Sequence, residues 1–251
     1  GGVTSPRQIR RSLYLRPVLL VLALVLAACA PKIDHLSNAQ IVDHFETVAF
    51  GREFATTSDH LIKWTEPVRI QLIGDDIADR HRARIVAHLA DLAAITGHPI
   101  GLIEGAGEAN VLLLVTPRRQ FVPILTEAIG RREVAERIVR SMTGNACIGS
   151  LGSGESGEID AAVVLIPNDE YNDLLMRACI VEELTQLLGL LNDSDEIAPS
   201  IFNDRSRFVD LTEHDRLLLR ILYAPELRPG MSPEAARAAA MTALARLRPE
   251  G

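Results

Sequence analysis

Four absences narrow the reading before any motif is considered. The 251-residue chain has no acidic residue before Asp34 and no histidine between residues 99 and 213. It shows no internal repeat, and no apolar run reaches the roughly 20 residues needed to span a bilayer as a helix. A positive charge balance is lacking too: 26 Lys and Arg face 33 Asp and Glu, for a net charge of −7. That sign argues against nucleic acid as a partner and against electrostatic adhesion to anionic lipid. The histidine gap deprives more than a hundred residues of zinc's preferred nitrogen donor.

What is present begins with an export signal. Arg7, Arg10, Arg11 and Arg16 make the N-terminal region purely basic, and Val18 to Leu26 follow as a short apolar run. The run ends in Leu26-Ala27-Ala28-Cys29. Basic flank, short apolar stretch and small residues at the cut describe a secretory signal over residues 1–28. The last four residues resemble the bacterial lipobox. That resemblance implies cleavage before Cys29 and acylation of its thiol and new amine, giving a firmly held lipid anchor, because each buried methylene contributes about 0.8 kcal/mol. Ala30 rather than Asp follows the cysteine, which by the same resemblance favours the outer membrane, with the domain facing the periplasm. The sequence opens Gly1-Gly2 rather than on Met, so Gly1 is not expected to be the true N-terminus. Removing the four arginines takes the charge from −7 to −11.

With Cys29 assigned to lipid, Cys147 and Cys179 remain as an even pair. In an oxidising compartment they read as a disulfide, the alternative being two buried free thiols.

Residues 29–36 read as a tether, 37–235 as one domain, and 236–251 as a C-terminal helix and tail. Ser37 or Asn38 can cap a helix carrying Ile41, Phe45 and Val48. Trp64 to Ile73 reads as a strand through the alternation of Val68, Ile70 and Leu72. Asp75 and Asp76 open a long helix with Ile77, Ile85, Leu89 and Leu92 on its apolar face, ended by Gly97. His81 and His88, seven apart on this helix, are expected at the surface. Pro99 to Ile103 and Asn110 to Val115 are further strands, the second apolar from Val111 to Val115 and therefore interior. Residues 119–141 read as helix interrupted near Gly130. Gly149 to Gly157 reads as a Gly/Ser loop. Gly152 to Gly157 within it fits G-x-G-x-x-G formally, but it precedes a strand rather than a helix, so a flexible loop is expected rather than a dinucleotide site. Ile159 to Ile166 is a strand, and a helix runs from about Tyr171 to Gly189. Thr212 and Asp215 resemble a capping box before a helix over Leu217 to Tyr223. Ser232, Pro233 and Glu234 start a last Ala-rich helix. The fold class is α+β with a mixed sheet and one core.

The most informative stretch is Cys179-Ile180-Val181-Glu182-Glu183-Leu184-Thr185-Gln186-Leu187-Leu188-Gly189-Leu190-Leu191-Asn192-Asp193-Ser194, followed by Ser200-Ile201-Phe202-Asn203-Asp204. It resembles the helix of zinc peptidases of the H-E-x-x-H type, and of their metzincin branch, with the ligands replaced. In that resemblance Glu182 and Gln186 stand at the two helix histidines, Glu183 at the general base, Gly189 at the turn and Asn192 at the third ligand. Ser200-Ile201-Phe202 resembles the segment bearing the supporting methionine, with Phe202 in its place, and Leu211-Thr212, Asp215 and Leu222-Tyr223 resemble the closing helix. The order of strands and helices upstream is the one expected of a zincin half-domain. The whole pattern, through Arg228-Pro229-Gly230-Met231, is similar to an uncharacterised proteobacterial lipoprotein family, the domain of unknown function 2927.

The resemblance implies a degenerate zincin-like domain. One carboxylate and two neutral amides make a poor zinc site, and oxygen donors suit calcium or magnesium better. Without a strong Lewis acid, Glu183 has no activated water to deprotonate. The expected function is therefore a lipid-anchored, non-catalytic binding or scaffold protein for a peptide, an envelope protein or a cell-wall component, with no resident cofactor. The alternative is an atypical metal-dependent hydrolase in which Glu182, Gln186 and Asn192 hold a divalent metal through oxygen and Glu183 is the base. A third reading makes Glu182, Glu183 and Gln186 an ordinary polar helix face, with Asn192, Asp193 and Ser194 as turn residues.

Overall fold

A computed structural model describes residues 36–249, apart from 51–58, 75–76, 78, 105–107, 142–146, 170–171, 204 and 206–207. The signal, Cys29 and most of the tether lie outside the described residues, as do Asp75, Asp76, Tyr171 and Asp204.

Five strands form one sheet: β1 (Val68–Ile73), β2 (Ile100–Leu102), β3 (Val111–Thr116), β4 (Ile148–Ser153) and β5 (Ile159–Pro167). Their order is β2-β1-β3-β5-β4. The first four are parallel, and β4 runs antiparallel along the outer side of β5. β3, apolar from Val111 to Val115, lies at the centre, as a strand buried on both faces should.

Seven α-helices are described: α1 (Asn38–Phe50), α2 (Asp79–Thr96), α3 (Phe121–Ile129), α4 (Arg132–Ser141), α5 (Asp173–Gln186), α6 (Glu213–Leu222) and α7 (Pro233–Leu247). Val111, Leu113, Val115, Val164 and Ile166 join the main core with residues of α1, α2, α5, α6 and α7. Leu114 and Leu165 belong to a smaller core with Phe121, Leu125 and Ala135 of α3 and α4. Period-2 alternation thus sends successive residues of one strand into two different cores. None of these helices is long and apolar enough to cross a membrane.

The start signals read from the sequence are used. Thr212 and Asp215 form a reciprocal capping box, and Ser232 caps α7 with Pro233 in its first turn. Gly130 breaks the helical stretch with φ +73°, and Gly97 takes φ +68° directly after α2.

Three expectations need correction. The Gly149–Gly157 stretch is not a loop: its first half is β4, and Gly154 and Gly157 build the turn into β5. At Gly149, β4 lies close to Glu183 of α5: a Cβ there would stand 3.1 Å from Glu183 Oε2. The strand read from Trp64 begins only at Val68, and Trp64 belongs to an irregular buried segment before it. His81 and His88 are buried, not surface residues. His88 reaches across to α5, as described below.

Cys147 and Cys179 are bonded, with 5.8 Å between their Cα atoms. The bridge joins the start of β4 to the middle of α5 across 32 residues. Replacing both cysteines by alanine should lower the unfolding free energy by about 3–4 kcal/mol, measured by urea titration, because a loop of that length loses its constraint in the unfolded chain.

Candidate functional site

Helix α5 carries the segment singled out in the sequence. Asn172 caps it by accepting from the Leu175 amide at 3.0 Å. Cys179 and Glu183, four residues apart, share the face turned to β4. Glu183 is buried, whereas Glu182 and Gln186 are half-buried.

A second face meets α2. His88 Nε2 lies 3.1 Å from both the Val181 carbonyl and the Thr185 hydroxyl. The Thr185 hydroxyl donates to the Val181 carbonyl at 2.5 Å, so its oxygen is left to accept from the imidazole N–H. Burial pushes the His88 pKa down to about 4, which keeps the ring neutral.

The end of α5 is held by side chains from elsewhere. Helices leave their last carbonyls without internal partners, and buried ones need donors. Trp64 Nε1 donates to the Leu187 carbonyl at 2.8 Å, and the Tyr223 hydroxyl donates to the Leu188 carbonyl at 3.0 Å. Gly189 then turns the chain with φ +115°, and a Cβ there would stand 2.4 Å from the Ile62 carbonyl oxygen. No other residue fits this position.

Past the turn, Leu191 and Asn192 both donate their amides to the Val48 carbonyl in the last turn of α1, at 2.9 and 3.2 Å. The Asn192 side chain donates to the Thr47 carbonyl at 3.1 Å. The Gln186 amide donates to Asp193, 3.0 and 3.2 Å from its two carboxylate oxygens. Asn192 therefore caps a different helix, and Gln186 is tied to the residue after it. Both bonds use the NH2 groups, not the carbonyl oxygens by which the zincin resemblance would have these residues face a metal. Among the described residues, no three His, Cys, Asp or Glu side chains are placed to hold a metal.

Ser200 and Phe202 serve packing. The Asp215 carboxylate has no exposed surface and accepts from the Ser200 hydroxyl at 2.5 Å, from the Ile201 amide at 3.2 Å and from Thr212 through both its amide and hydroxyl. Burial still pushes its pKa above the usual carboxylate value, against the donors that lower it. Phe202 is fully buried, and its carbonyl accepts from the Ser194 amide.

Two polar groups were not found by sequence reasoning. Lys63 is buried and donates to the Leu222 and Leu227 carbonyls at 2.9 and 3.0 Å, with its Nζ 4.9 Å from the centre of the Tyr223 ring. Burial lowers its pKa to about 8. His44 of α1 meets His214 of α6, nitrogen to nitrogen, at 2.9 Å. Neither belongs to a local motif; His214 stands one residue past the histidine gap, and its partner lies 170 positions away.

A groove of about 1170 Å³ opens on the other side of the sheet, lined by Leu112, Val163, Ile124, Ile138, Arg137 and Asp160 among others. None of Glu182, Glu183, Gln186 or Asn192 lines it.

Fold and site together define a single-sheet α+β unit with a mixed sheet, organised around α5. Residues 38–242 match the family model described as Protein of unknown function (DUF2927), and the chain belongs to that family. No curated protein and no solved structure gives a significant match.

Gly189→Ala should cost about 3 kcal/mol or more in urea unfolding, since it adds both backbone strain and a clash with Ile62. Gly97→Ala, with φ +68° and nothing within 4 Å of its added Cβ, should cost only about 1 kcal/mol.

Proposed function

We propose that the chain is an envelope lipoprotein, anchored through acylated Cys29 with its domain facing the periplasm, whose zincin-like domain binds an extended peptide without cleaving it. The observation that carries the non-catalytic reading is the use made of two amides. Gln186 is held by Asp193 and Asn192 by Thr47, each donating its NH2 group. The zinc that the zincin resemblance implies does not fit this donor set, because one carboxylate and two neutral amide oxygens are weak zinc ligands. The NH2 bonds to Asp193 and Thr47 give both amides a place in the fold without a metal.

Two features support the zincin-like and peptide-binding parts. The order strand, long helix, strands, then the helix bearing Glu182 and Glu183 agrees with the order that the resemblance implies. Among the described residues β4 pairs with β5 alone, so its other edge offers main-chain donors and acceptors to an added strand. Gly149 of this strand adjoins Glu183.

The alternative is a hydrolase with Glu183 as base. One experiment separates the two. The purified protein is immobilised, incubated with a mixed peptide library with and without added zinc, calcium or manganese, and the peptides are analysed by mass spectrometry. Retention of a subset of intact peptides is expected. Metal-dependent cleavage that disappears in Glu183→Gln would establish the hydrolase instead, and no retention in any condition would remove the peptide-binding role.

A further inference from the structure

The contact between His44 and His214 has no part in the proposed peptide site, yet it joins the N-terminal helix to the body of the domain. The two nitrogens, His44 Nδ1 and His214 Nε2, are 2.9 Å apart, with the rings edge to face at 85°. A hydrogen bond between two imidazoles needs one N–H and one bare nitrogen. His214 has no exposed surface, and its other nitrogen, Nδ1, has no hydrogen-bond partner among the described residues. Placing a proton on that Nδ1 would bury an unsatisfied donor, so the arrangement of lowest cost has His214 Nε2–H donating to His44 Nδ1.

We propose that this pair is an acid-sensitive latch between α1 and α6, which loosens α1 when the pair takes up a proton. An added proton has two destinations, and both are unfavourable. On His44 Nδ1 it either sets two N–H groups against each other across the contact or, if the His214 proton moves to Nδ1, leaves that buried N–H without an acceptor. On His214 Nδ1 it creates a buried imidazolium, a charge that needs a partner.

Among the described residues, the surrounding charges supply no close one. On α1 itself, Asp43 is already paired with Arg237 of α7 at 2.7 Å, and Glu46 is paired with the same guanidinium. From the loop after α5, Glu196 is exposed and acts on His44 only through space, more weakly than burial does. On α6, Asp215 follows His214, but its carboxylate is engaged by Ser200, Ile201 and Thr212. Burial accordingly lowers the pKa of both rings, that of His214 to about 4.

The direction of the pH effect follows from this. An opened α1 leaves the imidazoles near their ordinary pKa of about 6.5, so the open form binds protons first as pH falls. The latch holds fully above about pH 6.5 and weakens progressively toward pH 4. Ile41, Val42, Phe45 and Val48 keep α1 docked by their burial, so acid makes opening more frequent rather than detaching the helix outright. Under the proposed anchor at Cys29, α1 is the element next to the tether, and its opening would lengthen the link between domain and membrane. That consequence rests on the anchor; the latch does not.

Hydrogen exchange followed by mass spectrometry tests it on the chain as it stands, at about pH 7 and about pH 4.5 with intrinsic exchange rates corrected. Opening of α1 should rise by roughly tens of fold at the lower pH. In His44→Leu/His214→Leu the acid response of α1 should vanish, while that of α2 and α5, which share the buried His88, should persist. An α1 equally protected at both pH values, or a response that survives in the double variant, would overturn the proposal. Imidazole titration of the wild-type protein by NMR needs no variant: His214 should stay neutral to below about pH 5, and titration near 6.5 would also overturn it.

Discussion

The arrangement depends on four buried residues, Leu61 to Trp64, which belong to no regular element and hold the ends of several. The Lys63 ammonium supplies donors to the Leu222 carbonyl, at the end of α6, and to the Leu227 carbonyl beyond it. Trp64 supplies one to the Leu187 carbonyl past α5. The main chain of the segment bonds Gly157, Ile159, Gly230 and Met231. The Ile62 carbonyl lies so close to Gly189 that a side chain there is excluded. A buried lysine is costly unless its donors are satisfied, and here its partners are carbonyls that would otherwise lack donors of their own. The two needs are met by one another.

Several residues that carry the family resemblance acquire a physical role from this segment. Gly189 gives Ile62 room, Tyr223 binds the Leu188 carbonyl beneath the Lys63 amine, and Gly230 and Met231 exchange main-chain hydrogen bonds with Leu61. Thr185 answers to His88 and Asn192 to the last turn of α1. The pattern that looks like a peptidase site with its ligands replaced is, in large part, the joint where α1, α2, α5 and α6 meet. Glu183 stands apart from that joint. It faces β4, the outer strand of the sheet, which is why the proposed binding function is placed there and not at the turn.

Elements whose signal is local were legible in the sequence. The Thr212–Asp215 box, the Ser232-Pro233 start, the breaks at Gly97 and Gly130 and the interior strand β3 all follow from neighbours within a few residues. The Cys147–Cys179 bond followed from counting cysteines once Cys29 was assigned to lipid. The departures have tertiary causes. β4 holds two glycines and no β-branched residue after Ile148, so its composition reads as loop; pairing with β5 and the need to clear Glu183 make it strand. His88 looked exposed because the partner that satisfies it lies 93 residues away. The resemblance put Glu182, Gln186 and Asn192 at degenerate ligand positions, but it carried no sign that the Gln186 and Asn192 NH2 groups donate to Asp193 and Thr47. Lys63 carries no pattern at all, since its role depends on where two carbonyls of a distant helix end arrive.

The central claim is that the segment around Lys63 holds the helix ends together. Its most direct test is the unfolding free energy of Lys63→Met, which keeps most of the side-chain stem and removes the amine. Urea unfolding can be followed through Trp64, the single tryptophan of the chain and itself part of the segment. Leaving the Leu222 and Leu227 carbonyls buried without their donor should lower stability by about 2–5 kcal/mol. A loss below about 1 kcal/mol, with the Trp64 emission of the folded state unchanged, would contradict the account.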